Sequence, residues 1–445
     1  MTSTQKTKND KAWEKIFEKY NIKSEIEKNG YFTITSTQIN EFREARLMTK
    51  FDNQKTLPQL FRENKLSILP ISANSYILAN FELYENIPQI NTPIEFKEFP
   101  TYIESIDYNK INSEAIALNC AYISKILEDF LDEEKDSTEI LPTVDGKMSS
   151  GKFEFEVKSS ISTDNYSISV DRSGIEIDAG YETAHSLVLI EAKNVIADDF
   201  LIRQIYYPFR LWKDKITKKV RLIFMQYSNG IFNLYEYDFK DPNNYNSLEL
   251  IKSKRYSIVS QEEMEISLND ILNIDKNITI VQEPKIPFPQ ADSFERIISL
   301  LEMLNIDTVK SKEEITEEFK FDPRQTDYYF NAGKYLGFLE EDKVVVEENN
   351  TNIEKPAIKL SNRGKNLFNI SYKSRQLEYV KAILEHEVFN KVFKDCVEFY
   401  QMPIRTKIVE YMQEANLYNV NSEETFKRRA STISGWINWI LNLYE

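Results

Sequence analysis

The apolar positions along this chain repeat at helical spacing, then at strand spacing, then at helical spacing again. Near the N-terminus "DKAWEKIFEKYNI" reads as a short amphipathic helix, and "GYFTITSTQINEFREAR" as a strand followed by a capped helix. "KLSILPISANSYILANFELYENI" alternates as two strands around a Ser-Ala-Asn turn. Further on, "NSEAIALNCAYISKILEDFL" sets Ile116, Ala117, Cys120, Ile123, Leu127 and Phe130 at helical intervals behind an Asn112 or Ser113 cap. The segment "VDGKMSSGKFEFEVKSS" reads as a glycine-punctuated loop leading into a strand. Strands follow at "YSISV", "GIEID", "SLVLIEAK", "VRLIFMQYS" and "IFNLYEYDF", with a helix over "ADDFLIRQIYYPFRLWKDK" among the last three.

"QEPKIPFPQADS" is a proline-marked junction, after which the texture changes. "SFERIISLLEMLN", "SKEEITEEF", "DPRQTDYYFNAGKYLGFLEED" and "KVVVEE…AIKLSN" form three helices and two strands, the layout of a winged helix. "SRQLEYVKAILEHEVFNKVF", "IRTKIVEYMQEAN" and "SEETFKRRASTISGWINWILNLY" repeat the pattern without repeating the sequence. The expected fold class is a multidomain α/β and α+β chain. An α+β region of no assigned role covers 1–110, where Arg43, Arg46 and Lys50 either form a solvated helix face, the favoured reading, or touch phosphate; a mixed sheet flanked by helices covers 111–285, and tandem winged helices cover 286–370 and 371–445.

Composition narrows this picture. At 445 residues the chain exceeds one ordinary core, and its 41% hydrophobic and 13% aromatic content excludes a disordered chain. The net charge of -15 disfavours indiscriminate nucleic-acid binding, so any DNA contact has to come from local basic patches. Cys120 and Cys396 lie far apart without a CxxC or CxxH neighbour, which argues against structural zinc or a disulfide framework and fits a reducing cytoplasm. The N-terminus lacks the apolar core of a signal peptide, and no stretch approaches the roughly 18 apolar residues of a membrane span. A cytoplasmic protein without membrane contact is expected.

The candidate chemistry lies in "GIEIDAGYETAHSLVLIEAKN", where an apolar run ends abruptly in Glu-Ala-Lys. Residues two apart in a strand share a face, so Glu191 lies with Lys193, and Asp178 with Glu176. Charges at the end of a buried strand are costly unless paired or ligated. Asp178, Glu191 and the carbonyl of Ala192 would supply the hard oxygen ligands that Mg²⁺ prefers, with Glu114 and Glu176 as candidate additional ligands or proton acceptors. Such a metal lowers the pKa of a bound water, and Lys193 beside it could orient that water or stabilise charge on a phosphorane. The next helix carries Arg203, Gln204, Tyr207 and Arg210, with Arg203 and Arg210 as candidate DNA contacts; Gln204 and Tyr207 share a face that could hold a scissile phosphate, or serve packing and solvation. An Asp followed by Glu-x-Lys also arises by chance on solvated strand edges.

The runs "IEIDAGYE", "LVLIEAKN" and "FLIRQIYYPFRLW" resemble the core of the PD-(D/E)XK nucleases, particularly the bacterial type II restriction endonucleases. "GKMSSGKFEFEV" and "REARLMTKFD" look like segments of one restriction-enzyme group, and "SEETFKRRASTISGWINWIL" is similar to the last helix of winged-helix modules attached to such enzymes. The resemblance implies Mg²⁺-dependent hydrolysis of double-stranded DNA that leaves 5′-phosphate ends, with Mn²⁺ able to substitute. It also implies a role in restriction-modification and phage defence beside a DNA methyltransferase that acts on the same site. By it, Asp178 and Glu191 are metal ligands, Lys193 is the catalytic lysine, and Gln204 matches a glutamine on the corresponding helix of some members. Ile177 stands where the motif's name has proline.

Sequence recognition would fall to the C-terminal helices. Residues 371–445 hold ten Lys plus Arg and ten Asp plus Glu, yet Lys427, Arg428 and Arg429 are adjacent and are followed by Ser431 and Thr432. Such a helix suits the major groove, though it also reads as a basic patch balancing Glu423 and Glu424. On "PRQTDYYFNAGKYLG", Arg324, Gln325 and Lys334 are further candidates for DNA contact. Cutting both strands needs two active sites, so a homodimer, at least on DNA, is expected. The rival readings are a non-catalytic winged-helix DNA-binding regulator and a nuclease directed at modified bases.

Overall fold

The apolar run at residues 187–190 becomes an interior strand of a seven-stranded mixed sheet. In the computed structural model, which describes residues 6–132, 139–306, 309–318, 323–348, 351–415 and 417–444, the sheet order is Ile94–Phe96, Leu248–Ser257, Ile231–Phe239, Lys219–Ser228, Ser186–Lys193, Gly174–Glu182, Leu141–Ser149. Ser186–Lys193 pairs parallel with Lys219–Ser228 and antiparallel with Gly174–Glu182. Both faces are covered, as a continuous apolar strand requires. Leu187 and Leu189 pack against Tyr206 and Tyr207 of the Arg203–Lys213 helix and against the Lys152–Lys158 and Asn165–Asp171 hairpin. Val188, Ile190 and Ala192 pack against the helices Glu114–Ile123 and Ile126–Leu131.

Several local expectations change here. Ser113, rather than Asn112, caps the first of those helices by accepting from the Ile116 N–H. The helical stretch is two helices, because Lys125 adopts φ 60° between them. The "VDGKMSSGK" segment is strand on both sides of a turn at Gly151, whose φ of +76° favours glycine. The helix expected to begin at "ADDF" begins only at Arg203; Asp199–Leu201 is instead a buried strand paired with Tyr84–Asn86. That pairing partner is remote in sequence, and local periodicity could not reveal it. The strands Leu248–Ser257 and Ile94–Phe96 likewise escaped the pattern, being half polar and very short respectively.

Three regions of core follow the chain. The N-terminal core runs from Ala12 to Leu78. Residues 84–96 supply strands to the central layers, although 1–110 was read as one region. A third cluster runs from Ile266 to Ile440 and joins what were read as two separate modules. Its first part has the order helix Phe294–Ile306, strand Lys310–Ser311, helix Lys312–Glu318, helix Pro323–Tyr335, hairpin Leu339–Glu348 and Thr351–Leu360. Its second part is the helices Tyr372–Leu384, Glu387–Phe399, Arg405–Glu414 and Glu423–Leu441, with no strand among the described residues of 371–445. The expected second winged helix is therefore corrected to a helical extension, since a wing requires a hairpin. Among the described residues, no helix is long and apolar enough to cross a membrane.

Polar contacts bind the third core to the sheet. The Glu302 carboxylate accepts from the Asn229 N–H and the Ser228 hydroxyl, and the side-chain amides of Asn229 and Gln376 bond reciprocally at 3.1 and 2.8 Å. Asn229 and Gln376 are buried, so losing either partner would leave an unsatisfied amide.

Candidate active site

The strand Gly174–Glu182 does not keep a simple alternation. Gly146 opposes Ile177 and Val144 opposes Gly180, so one extra residue is inserted on the Asp178 side. Such a bulge redirects side chains, and here it lies beside the strongest charge cluster of the sheet. Gly180 is required next to it, because a Cβ there would approach the Val144 backbone and side chain to 2.8 Å. The bulge also interrupts the parity that grouped Glu176 with Asp178; Glu176 is exposed, while Asp178 is half-buried.

On the neighbouring strand, period 2 directs Glu191 and Lys193 toward the side occupied by Leu187 and Leu189, where the Arg203–Lys213 helix begins. The Asp178 Oδ2 accepts from the Ala192 N–H at 2.8 Å. Lys193 Nζ donates to Glu191 Oε1 at 2.5 Å and to the Ala192 carbonyl at 3.1 Å. Gln204 Nε2 donates to the same Glu191 oxygen. Glu114, at the N-terminus of its helix, places Oε1 3.9 Å from Lys193 Nζ. Four of the expected residues, Asp178, Glu191, Lys193 and Gln204, thus meet at one end of the sheet, with Glu114 beside them.

Burial and mutual repulsion set the protonation of this cluster. Glu191 is only 7% exposed. Burial pushes its carboxyl up to about 8, with Asp178 adding to the rise and Lys193 opposing it. Burial disfavours the Lys193 ammonium, but the negative charges of Glu191, Glu114, Asp52 and Asp178 outweigh it and hold the amine well above its usual value. Glu114 is raised, by burial first and by Asp178 in addition. The acidic surroundings thus favour the ammonium form of Lys193. Asp52, buried in the N-terminal region, is a contributor that sequence reading missed; no strand or helix spacing links it to residue 191.

These groups line a cleft of about 1370 Å³ walled by all three regions of the chain. Glu176, Arg203 and Gln325 also line it. The Arg203 guanidinium lies 5.7 Å from the Tyr207 ring centre. Within the described residues, no three His, Cys, Asp or Glu side chains gather as a metal-binding group. The oxygens available at the strand ends are the Asp178 and Glu191 carboxylates, the Ala192 carbonyl and the Gln204 amide oxygen. The Gln204 oxygen is buried without a hydrogen-bond partner among the described residues. An all-oxygen set with one unsatisfied acceptor matches the donor preference of Mg²⁺ or Mn²⁺ better than that of Zn²⁺.

Residues 10–78, 79–257 and 296–445 match three family models, whose descriptions are domains of unknown function DUF6996, DUF6997 and DUF7226. No curated protein and no solved structure matches the sequence. The first two matches meet where the N-terminal core ends, and the third spans the helix-and-hairpin unit together with its helical extension. The candidate cluster lies inside the 79–257 match, except for Asp52, which lies inside the 10–78 match.

Other expected contacts lie elsewhere. Arg210 is buried and donates to the Glu154 carbonyl, the Pro242 carbonyl and the Tyr206 hydroxyl, at 2.9, 3.0 and 3.0 Å. It stabilises the helix against the hairpin and is not available to DNA. Thr432 is buried and bonds Asp292 Oδ1 at 2.8 Å, while Ser431 reaches the same atom at 3.4 Å. That face of the last helix is a packing face, corrected from the groove-facing role. Lys334 pairs with Glu341 at 2.7 Å, and Lys427 pairs with Glu423 at 2.5 Å. Arg428 is exposed and Arg429 half-buried; neither lines the cleft. The side chain of Arg324 lies outside the described residues.

Proposed function

We propose that this chain is a PD-(D/E)XK nuclease of the type II restriction class, hydrolysing phosphodiester bonds of double-stranded DNA with Mg²⁺ and leaving 5′-phosphate ends. The single observation that carries the reading is the meeting of Asp178, Glu191 and Lys193 at adjoining strand ends on an open cleft, with Gln204 on the shared carboxylate. Resemblance at the level of short motifs alone would not have required these side chains to touch.

Asp178 and Glu191 would hold Mg²⁺ with the Ala192 carbonyl; when bound, the ion supplies a water of lowered pKa and neutralises phosphate charge. Lys193, kept protonated by its acidic neighbours, stabilises the negative charge that grows on the phosphate. Its bond to the Ala192 carbonyl and to Glu191 holds the ammonium in place before substrate arrives, so little reorganisation is needed. Gln204 fixes the Glu191 carboxylate from the helix side. Arg203, on the cleft wall, suits a flanking phosphate.

In this reading the unit at 294–360 is a winged helix, supported by its helix, strand, helix, helix, hairpin order and by the pairing of Lys310–Ser311 with the hairpin's second strand. A homodimer on DNA and a methyltransferase protecting the same sequence are the partners this activity calls for, in a cytoplasmic setting.

The test is purified protein with plasmid DNA and Mg²⁺, compared with the same digest in EDTA. Discrete fragments with 5′-phosphate ends are expected, and Asp178→Ala, Glu191→Ala and Lys193→Ala should each abolish them while duplex binding persists. Binding without cleavage on unmodified and methylated DNA alike, indifferent to Mg²⁺, would replace the nuclease with a DNA-binding regulator.

A further inference from the structure

The charge of this chain is distributed very unevenly. Residues 1–78 contain 13 Lys plus Arg and 9 Asp plus Glu, a net of +4, while the remaining residues contain 43 and 62, a net of -19. The asymmetry sharpens on the cleft wall. Among the described residues, the part of the wall drawn from residues 6–62 has eight Lys or Arg against three acids. The part drawn from 112–224, which holds the catalytic cluster, has two against six. The rest of the N-terminal region, five basic against six acidic residues, is slightly negative. Its positive charge is therefore concentrated on the one surface that faces the candidate active site.

The position of that surface is fixed by hydrogen bonds to main-chain groups of residues 51–54. The Leu201 N–H donates to the Asp52 carbonyl at 2.9 Å, the Gln54 N–H to Asp199 Oδ1 at 3.2 Å, and the Tyr84 hydroxyl to the Phe51 carbonyl at 3.0 Å. Residues 51–54 are thereby tied to the strand that leads directly into Arg203 and Gln204. Immediately before them, Arg46 and Lys50 are exposed on the cleft rim, and neither has a carboxylate ion pair among the described residues. Lys50 is close enough for its charge to pull on the Glu114 carboxyl.

Resting on the nuclease reading above, we infer that the N-terminal domain is a phosphate clamp that grips duplex DNA independently of sequence, with Arg46 and Lys50 on the backbone beside the scissile bond. Its partner is the sugar-phosphate backbone and not the bases, because exposed cations that no carboxylate holds in place offer charge without a fixed pattern of base-edge donors. The clamp also resolves an electrostatic conflict. An acidic catalytic wall in a chain of net charge -15 repels a polyanion, and the basic part of the same cleft lining offsets that repulsion where the backbone must enter.

The test compares wild type with the Arg46→Ala/Lys50→Ala double variant, both full length. Affinity for a 30-base-pair duplex is measured in EDTA by fluorescence anisotropy across a salt series, plasmid cleavage is followed in a parallel Mg²⁺ reaction, and melting temperature is recorded to check the fold. Two phosphate contacts correspond to a loss of about 1.8 in the slope of log affinity against log salt, or about 60-fold in affinity between 1 M and 0.1 M salt. The loss should be the same on duplexes of unrelated sequence. If wild type binds and cuts while the double variant keeps its affinity and slope, the clamp is wrong and the nuclease stands. If the loss is confined to one sequence, the two residues read bases and the clamp is again wrong. If wild type neither binds nor cuts duplex DNA, both readings fall together.

Discussion

Gly435 gives a prediction whose sign separates two physical effects. It lies inside the long helix Glu423–Leu441, where replacing glycine by alanine ordinarily stabilises by about 1 kcal/mol through helix propensity. Here, a Cβ would stand 2.3 Å from the Asp292 carbonyl oxygen and 3.3 Å from its carbonyl carbon. Relief requires the helix or the 291–292 segment to move by roughly 1 Å, since a comfortable carbon–oxygen contact is about 3.3 Å or more. That movement would stretch the Thr432–Asp292 bond of 2.8 Å and the bond of 2.7 Å from Trp436 Nε1 to the Ala291 carbonyl, both involving buried side chains. Overpacking costs about 1–3 kcal/mol, and weakening two hydrogen bonds adds about 1–2 kcal/mol. Gly435→Ala should therefore destabilise by about 2 kcal/mol net, lowering the melting temperature by roughly 4–8 °C for a unit of this size. Thermal unfolding followed by circular dichroism reads the change. A melting temperature equal to or above wild type would show that the helix is not pressed onto Asp292, and would reopen its buried face as a surface for DNA.

Arg210→Met should lower stability by about 3 kcal/mol in urea unfolding, because the Glu154 and Pro242 carbonyls and the Tyr206 hydroxyl lose a charged donor; an unchanged midpoint would return Arg210 to the candidate DNA contacts. Gln204→Leu should slow plasmid cleavage by about 10–100-fold with duplex affinity unchanged, since one of the two groups holding Glu191 is removed; equal initial rates would remove Gln204 from the site. Asp270 caps the helix Leu268–Asn277, and its bonds with the Ser267 N–H and with Lys373 hold its carboxyl down at about 2. A carboxyl below its usual value stabilises above pH 4 and loses that contribution as pH falls through 2, so Asp270→Asn should cost about 1 kcal/mol at pH 7 after solvent screening and only a small part of that at pH 2. A difference that persisted in full at low pH would contradict that account. Lys427→Ala, at an exposed pair, should leave the midpoint unchanged in the same unfolding assay.

What the amino-acid order determined by itself was local. The continuous apolar run 187–190 pointed to a strand covered on both faces, on which an acid and an amine two residues apart share a face. A cap at Asn112 or Ser113 before an apolar helical stripe was readable because capping is decided within a few residues, and only the structure chose Ser113 between them. Tertiary structure decided everything that depended on partners distant in the chain. It paired Asp199–Leu201 with Tyr84–Asn86, put an extra residue beside Asp178, and turned Arg210 and Thr432 from surface candidates into buried anchors. It also brought Asp52 to the cleft, and it placed there the basic cluster of Arg43, Arg46 and Lys50, whose residues the sequence showed but whose position it did not. Side-chain type and period report which face a residue takes, whereas burial, bulges and charge coupling arise only when separate segments pack together.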